Sequence, residues 1–444
     1  MTNTYRPNSP LSADDLPQVR VRPPGPESVR WLARLKACEA PNVTTVSETF
    51  PVVWKRALGA VVQDVDDNRY IDAGSGFGVA FVGHNHPRVR AAAQQQSSLL
   101  VHAMGDVHPP MSRIELLELL AEMAPGDLGQ GLLCTGGSEA VEVALKTAYL
   151  ATGKSKIVAF EGGYHGLSLG ALGGTWRSDF RGPFEQWVPG PTFHAPFPTQ
   201  PAALQPALDS IAAVFEQGEV GVLVMEPVQG RGGSRQPAKG LLKGLRELCT
   251  RYGVMLCFDE IFTGCGRTGL MWAGDHEEVI PDLLCVGKAL GGGWPMSACL
   301  GKPEVMQAWG PARGEALHTS TFLGHPVACA AASATLRLIA SEGLVDRAAE
   351  QGRQWLKELQ DSLTGLDCVE DIRGVGLMLG VELSNPERAW QVVVACLERG
   401  VFVLPCGAGD VIQLTPPVVT TVAQRRVVVE VLHEAITCTR GPLR

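Results

Sequence analysis

Three apolar runs in this chain end in an ionisable residue: VGVLVM leads into Glu226, VMLCF into Asp259 and DLLCVG into Lys288. The spacings of 33 and 29 residues are each close to the ~30 residues of one βαβ unit. Successive parallel strands would therefore deliver all three groups to one sheet edge, the carboxyl end, where open α/β sheets bind ligands. A charge in so apolar a setting is costly without a partner. Asp259 there asks for a cation, such as a protonated ring nitrogen. A desolvated Lys288 favours its neutral, nucleophilic amine, the form that makes a Schiff base.

Two more features join them. In LLCTGGSEAVEVALKTAYLATG, residues Gly136, Gly137 and Ser138 lie between a strand and an amphipathic helix. Exposed N–H groups and the helix dipole at such a start make a phosphate seat, although Ser138, Glu139 and Glu142 also read as ordinary helix capping. Tyr164, in EGGYHG just past another strand, presents a flat face beside glycine backbone; burial in the core is its plain alternative. A phosphate seat, an aromatic face, an Asp for a pyridinium and a Schiff-base Lys together describe a pyridoxal phosphate site. The glycines point the same way. Of the 51 in the chain, 19 fall in the 66 residues of segments 135–174, 226–233, 259–269 and 287–293, as expected where backbone must approach a ligand.

Other motifs lack their context. GCGRTG at 264–269 has the G-x-G-x-x-G pattern, but it follows Asp259-Glu260, which would repel a pyrophosphate, and opens no convincing helix. GLSLG at 166–170 has the G-x-S-x-G pattern, yet EGGYH separates Ser168 from the strand that a nucleophile elbow needs, so a helix start is the better reading. Gly287-Lys288 lacks the remainder of a phosphate loop. His84 and His86 in GHNHP have no carboxylate or cysteine at ligand spacing and read as turn residues, so no metal is expected.

The elements that must position these groups are legible. Short apolar strands alternate with helical stretches from about 86 to 325, which predicts βαβ units and a mainly parallel sheet. Strands are expected at GLLCTG (131–136), KIVAF (156–160), VGVLVME (220–226), VMLCFDE (254–260) and DLLCVGK (282–288). Before them, PVVWKRALGAVVQDVDDNRYID reads as a hairpin turning at Asp66-Asp67-Asn68, and residues 1 to about 30, rich in proline, as an extended arm over a surface. VACAAASATLRLIA reads as a long helix. Beyond it, strands around VGLMLGVEL and GVFVLP and a final helix from about 422 suggest a smaller α+β domain. The expected division is 1–85 as N-terminal arm and hairpin joining the small domain, 86–330 as the large cofactor-binding domain, and 331–444 as the C-terminal small domain.

Composition narrows the partners. With 38 Lys+Arg against 46 Asp+Glu, the net charge of −8 offers no field for a phosphate backbone, so nucleic acid is not expected. No apolar run approaches the ~18 residues of a membrane helix. The 12 cysteines show no C-x-x-C, and the polar, proline-rich start has no signal-peptide core, so reduced thiols and a cytoplasmic location are expected.

In order along the chain, GSGFGVAFVGHNHP, CTGGSEAVEVALKTA, GGYHG, MEPVQG, FDEIFTGCGRTG, PDLLCVGKALGGGWPMSA, HTSTFLGHPVACAAA, IRGVGLMLGVEL and LTPPVV resemble the class III aminotransferases, fold type I pyridoxal phosphate enzymes, across about residues 45–435. The resemblance implies an α/β fold with a large, mainly parallel sheet flanked by helices, plus a smaller α+β domain. It implies that Lys288 carries the cofactor and then shuttles the substrate proton. Asp259 would hold the pyridine nitrogen protonated, and Gly136, Gly137 and Ser138 the phosphate. Tyr164 would stack on one ring face and Ile261 on the other, with Glu226 orienting Asp259 and nearby waters. Thr321, in HTSTFLGHP, matches the position that reaches the partner subunit's phosphate, which implies a homodimer or higher oligomer. Phe77 falls where substrate is bound.

The chain departs from the family pattern where substrate is chosen. Leu167 stands where members acting on glutamate, ornithine or 4-aminobutyrate carry Arg. Their Glu after E-P-x-Q-G is here Arg231, and their Arg before the C-terminal Pro-Pro is Gln413. Phe262 replaces the Gln of acetylornithine-type enzymes. Arg231 is thus expected to bind a substrate carboxylate, since Arg–carboxylate pairing is directional; a surface Arg in a glycine-rich turn is the alternative. The expected reaction moves an amino group from a primary amine or ω-amino acid to a 2-oxo acid, pyruvate or 2-oxoglutarate, by a ping-pong route. The alternatives are an amino-acid racemase, epimerase or decarboxylase on the same scaffold, or a non-catalytic member.

Overall fold

The computed structural model describes residues 10–188 and 190–439. Strands β1 (Trp54–Leu58), β2 (Val61–Asp64) and β3 (Arg69–Asp72) form an antiparallel run. Its second turn falls at the predicted Asp66-Asp67-Asn68, where Asp64 carboxylate oxygens accept from the Asp66 and Asn68 N–H groups at 2.9 and 2.8 Å. The proline-rich arm is not extended to residue 30: a helix, Pro26–Cys38, begins inside it. Proline at the first helical position loses no hydrogen bond, and Asp66 accepts the first-turn N–H groups of Glu27 and Ser28, each at 2.8 Å. Upstream of that helix the arm lies on its own chain through reciprocal backbone bonds between Gln18 and Arg69. The part of the arm at 1–9 lies outside the described residues.

The central sheet has seven strands: β4 (Gln130–Cys134), β5 (Lys156–Phe160), β6 (Thr192–Ala195), β7 (Val220–Met225), β8 (Met255–Glu260), β9 (Leu283–Val286) and β10 (Ser297–Gly301), in spatial order β4-β10-β9-β8-β7-β5-β6. All are mutually parallel except β10, which runs antiparallel between β4 and β9. The five strands expected from the sequence are present. β6 and β10 were not expected: TFHA is only four residues long, and SACLG carries two small residues and a terminal glycine.

Helix Gly137–Thr152 covers one face, burying Ala140, Val141, Ala144 and Ala148 against Cys134, Cys257, Cys285 and Cys299 from four neighbouring strands. Small residues on both sides let helix and sheet approach closely, and Gly153 ends the helix in the left-handed conformation, φ 68°. The remaining chain adds helices Pro326–Ser341, Leu344–Leu363, Pro386–Glu398 and Val422–Cys438 and strands β11 (Val369–Val375), β12 (Met378–Leu383), β13 (Val401–Phe402), β14 (Leu404–Cys406) and β15 (Val411–Leu414). β13 pairs in parallel with β3, so the two ends of the chain share a sheet. Among the described residues no single helix is long and apolar enough to cross a membrane.

Candidate active site

Strands β7, β8 and β9 are adjacent and parallel, and the register sets Met225 beside Phe258 and Glu260 beside Val286. Glu226, Asp259 and Lys288 accordingly leave the sheet at one edge. All three line one cavity of about 420 Å³, together with Gly137, Ser138, Tyr164, Arg231 and Ile261. The first-turn N–H groups of Gly137 and Ser138 have no intrahelical acceptor. Gly136 lies just behind them, its carbonyl accepting from Ser297 Oγ at 2.7 Å.

The residue bonded to Asp259 is one the sequence did not single out. His165 Nδ1 donates to Asp259 Oδ2 at 2.8 Å, and both side chains are buried. Burial works against the imidazolium, yet the bond and charge of Asp259, with Glu226 beyond it, hold His165 above the usual histidine range. Its only signal in the sequence was its place next to Tyr164. Glu226, expected to orient Asp259 and nearby waters, accepts the backbone N–H groups of Tyr164 at 3.0 Å and Gly230 at 2.9 Å. It ties together the two loops that carry Tyr164 and Arg231. Burial raises its carboxyl to about 7, with the charge of Asp259 adding to the shift and His165 and the two N–H groups opposing it.

Lys288 follows Gly287 in a left-handed backbone conformation, φ 43°, rare for a residue with a side chain. Its Nζ stands 4.4 Å from the centre of the Phe262 ring. Burial lowers its pKa, the charges of Asp259 and Glu226 oppose that, and Arg231 and Arg267 reinforce it. The Phe262 ring is wedged between two backbones: a Cβ on Gly78 or Gly230 would lie 2.2 or 2.3 Å from it. Arg231 is half-buried, its guanidinium 5.3 Å from the Tyr164 ring centre. Among the described residues it has no ion-pair partner, and its buried Nε has no acceptor. Gln413 donates to the Gly230 carbonyl at 2.9 Å and to Ser234 Oγ at 3.1 Å, bracing the turn that bears Arg231.

Two expected residues lie elsewhere. Phe77 is 60% exposed and lines a neighbouring cavity that shares Arg231. Thr321 is exposed and is not among the residues lining the Lys288 cavity of its own chain. The other motifs are structural. Arg267 of GCGRTG is fully buried and donates to the carbonyls of Leu377, Pro416 and Gly78 at 3.2, 2.7 and 3.4 Å, stapling three segments. Ser168 donates to Glu142 at 2.7 Å at the start of helix Leu169–Gly174. His84 pairs with Asp72 at 2.7 Å and His86 caps helix Pro87–Leu99. Among the described residues no cluster could hold a metal ion.

The cavity suits pyridoxal phosphate. A Cβ on Gly137 would come within 3.0 Å of Ile261, and one on Gly166 within 2.5 Å of Ser138, so glycine keeps the phosphate end open. The buried carboxylate, the amine and the unpartnered N–H groups supply the donors and charges that the group needs.

The class-III aminotransferase family model matches residues 43–436. Acetylornithine aminotransferase of Methanopyrus kandleri is 41% identical over 370 residues, covering 83% of this chain and 90% of that protein. 5-Aminovalerate aminotransferase DavT of Pseudomonas aeruginosa is 35% identical over 406 residues, covering 88% and 94%. The ornithine aminotransferase of Toxoplasma gondii, in a crystal structure described as showing partial occupancy of PLP at the active site, is similar with TM-score 0.82 and 30% identity over 91% of this chain and 93% of that one. Agreement over nearly the whole chain, in sequence and in fold, makes this protein a member of the class III aminotransferases, enzymes that depend on pyridoxal phosphate.

Proposed function

We propose that the enzyme takes an amino group from a primary amine or ω-amino acid and gives it to a 2-oxo acid, pyruvate or 2-oxoglutarate, in two alternating half-reactions. The observation that carries this is the meeting of Lys288, Asp259 and the free N–H groups of Gly137 and Ser138 around one cavity. Relatives named for acetylornithine and 5-aminovalerate support an ω-amino donor.

Bound pyridoxal phosphate supplies the electron sink for a carbon that loses its proton. Lys288 Nζ, kept below the ordinary lysine range by burial, takes that proton and returns it. Asp259 presents a negative charge to the ring nitrogen, fixed in direction by His165 and by the Ile261 N–H at 3.1 Å. Gly136, Gly137 and Ser138 hold the phosphate, and Tyr164 and Ile261 confine the ring. Arg231 faces the substrate carboxylate. A second copy of the chain brings Thr321 to the phosphate, in a homodimer, and the segments 1–85, 86–330 and 331–444 divide as the sequence suggests. All 12 cysteines are unpaired, which supports a reducing, cytoplasmic setting.

The test is a panel of donors and 2-oxo acids read by cofactor absorbance. A donor alone should convert the cofactor stoichiometrically to its pyridoxamine form, and a 2-oxo acid should reverse the change. Return to the starting spectrum with donor alone would favour a racemase, and released carbon dioxide a decarboxylase.

A further inference from the structure

Arg231 and Tyr164, which line the Lys288 cavity, also wall a second chamber of about 540 Å³, with Trp176, Arg177, Gln229 and Arg235. Three arginines meet there, and their existing partners do not saturate them. Arg177 is paired with Asp179, both in part exposed. Among the described residues Arg235 has only a long ion-pair contact to Glu382, at 3.6 Å. The buried Nε atoms of Arg231 and Arg235 have no acceptor. Glu161, the other carboxylate on the lining, is exposed, and Gln229 is spent on its backbone carbonyl at 2.7 Å. A buried guanidinium N–H without an acceptor is unfavourable, and a planar oxyanion satisfies such a fork best.

We propose that this chamber is a carboxylate subsite that takes the far end of a doubly carboxylated substrate whose reacting end lies at Lys288. The inference rests on the aminotransferase reading above and deepens it: Arg231, common to both cavities, stands at the boundary, and Arg235 and Arg177 receive the distal carboxylate.

The experiment is calorimetric titration of the cofactor-loaded enzyme with glutarate, butyrate and inorganic phosphate, none of which can be transaminated. Glutarate should bind about tenfold more tightly than butyrate. Arg235→Gln and Arg177→Gln should each remove most of that preference while leaving butyrate affinity and cofactor absorbance unchanged. Equal binding of glutarate and butyrate, or a preference untouched in both variants, overturns the proposal. So does phosphate binding with the same arginine dependence but without competition against glutarate, since the chamber would then be a separate anion site. A glutarate preference without turnover on any donor would leave the subsite standing and remove the reaction; turnover without the preference would do the reverse.

Discussion

Asp259 and Arg231 are charged side chains on one cavity, but their surroundings differ. Asp259 is buried, bonded to His165 at 2.8 Å and to the Ile261 N–H, and its neighbour Glu226 is likewise bonded to two backbone N–H groups. Arg231, lining the same cavity, is half-buried, over Tyr164, with no ion-pair partner among the described residues. The floor proposed to receive the cofactor is completed by the chain itself, so its geometry is set before anything binds. The wall proposed to meet substrate leaves its charge open for a bound anion to complete. On the proposed function, preorganised charge on the floor serves chemistry, and open charge on the wall serves selection.

That contrast can be broken at four points. The largest effect is expected from Lys288→Ala, which should lower turnover by at least roughly 10²–10⁴-fold, the range for losing a positioned base, while thermal unfolding changes little. Retained turnover would remove Lys288 from the reaction. Next, His165→Phe leaves Asp259 buried without its partner. Chemical unfolding should show a loss of about 3 kcal/mol; a loss below about 1 kcal/mol would mean that the floor does not depend on this pair. Arg231→Gln should behave oppositely, raising KM for the 2-oxo acid about tenfold with stability nearly unchanged. Unchanged Michaelis constants for both substrates would end its role.

The smallest effect is a pH dependence. A carboxyl raised from 4.5 to about 7 in the fold holds its proton more tightly there than in the unfolded chain. Its contribution is therefore complete below about pH 4.5 and is lost as the pH rises through 7, by about 1–3 kcal/mol. Glu260, also raised to about 7 by burial, gives a slope of the same sign, so the informative quantity is the difference between wild type and Glu226→Gln. The variant should show the shallower fall in stability between pH 5 and 8; identical slopes would show that Glu226 does not titrate there.

The sequence alone fixed Lys288, Asp259 and Glu226 at one sheet edge, because strand spacing near 30 residues and right-handed crossovers leave few other arrangements. It also predicted the strand that passes through Gly136-Gly137 into a helix, the seat proposed for the phosphate, and it set aside GCGRTG and GLSLG, whose flanking residues did not fit. β10 escaped notice because its antiparallel insertion depends on pairing with β4 and β9 rather than on its own pattern. The helix at Pro26 escaped because its first N–H groups are satisfied by Asp66, 39 residues away.

What only the tertiary structure decided is who partners whom. Residue types say that Asp259 needs a cation, that Arg231 calls for an anion and that Gly78 and Gly230 are small. That His165 supplies the first, that nothing in the described chain supplies the second, and that the two glycines make room for Phe262 beneath Lys288, depend on contacts between distant segments. Hydrogen bonds and packing act over a few ångströms, and no local pattern records which remote residue will arrive within that distance.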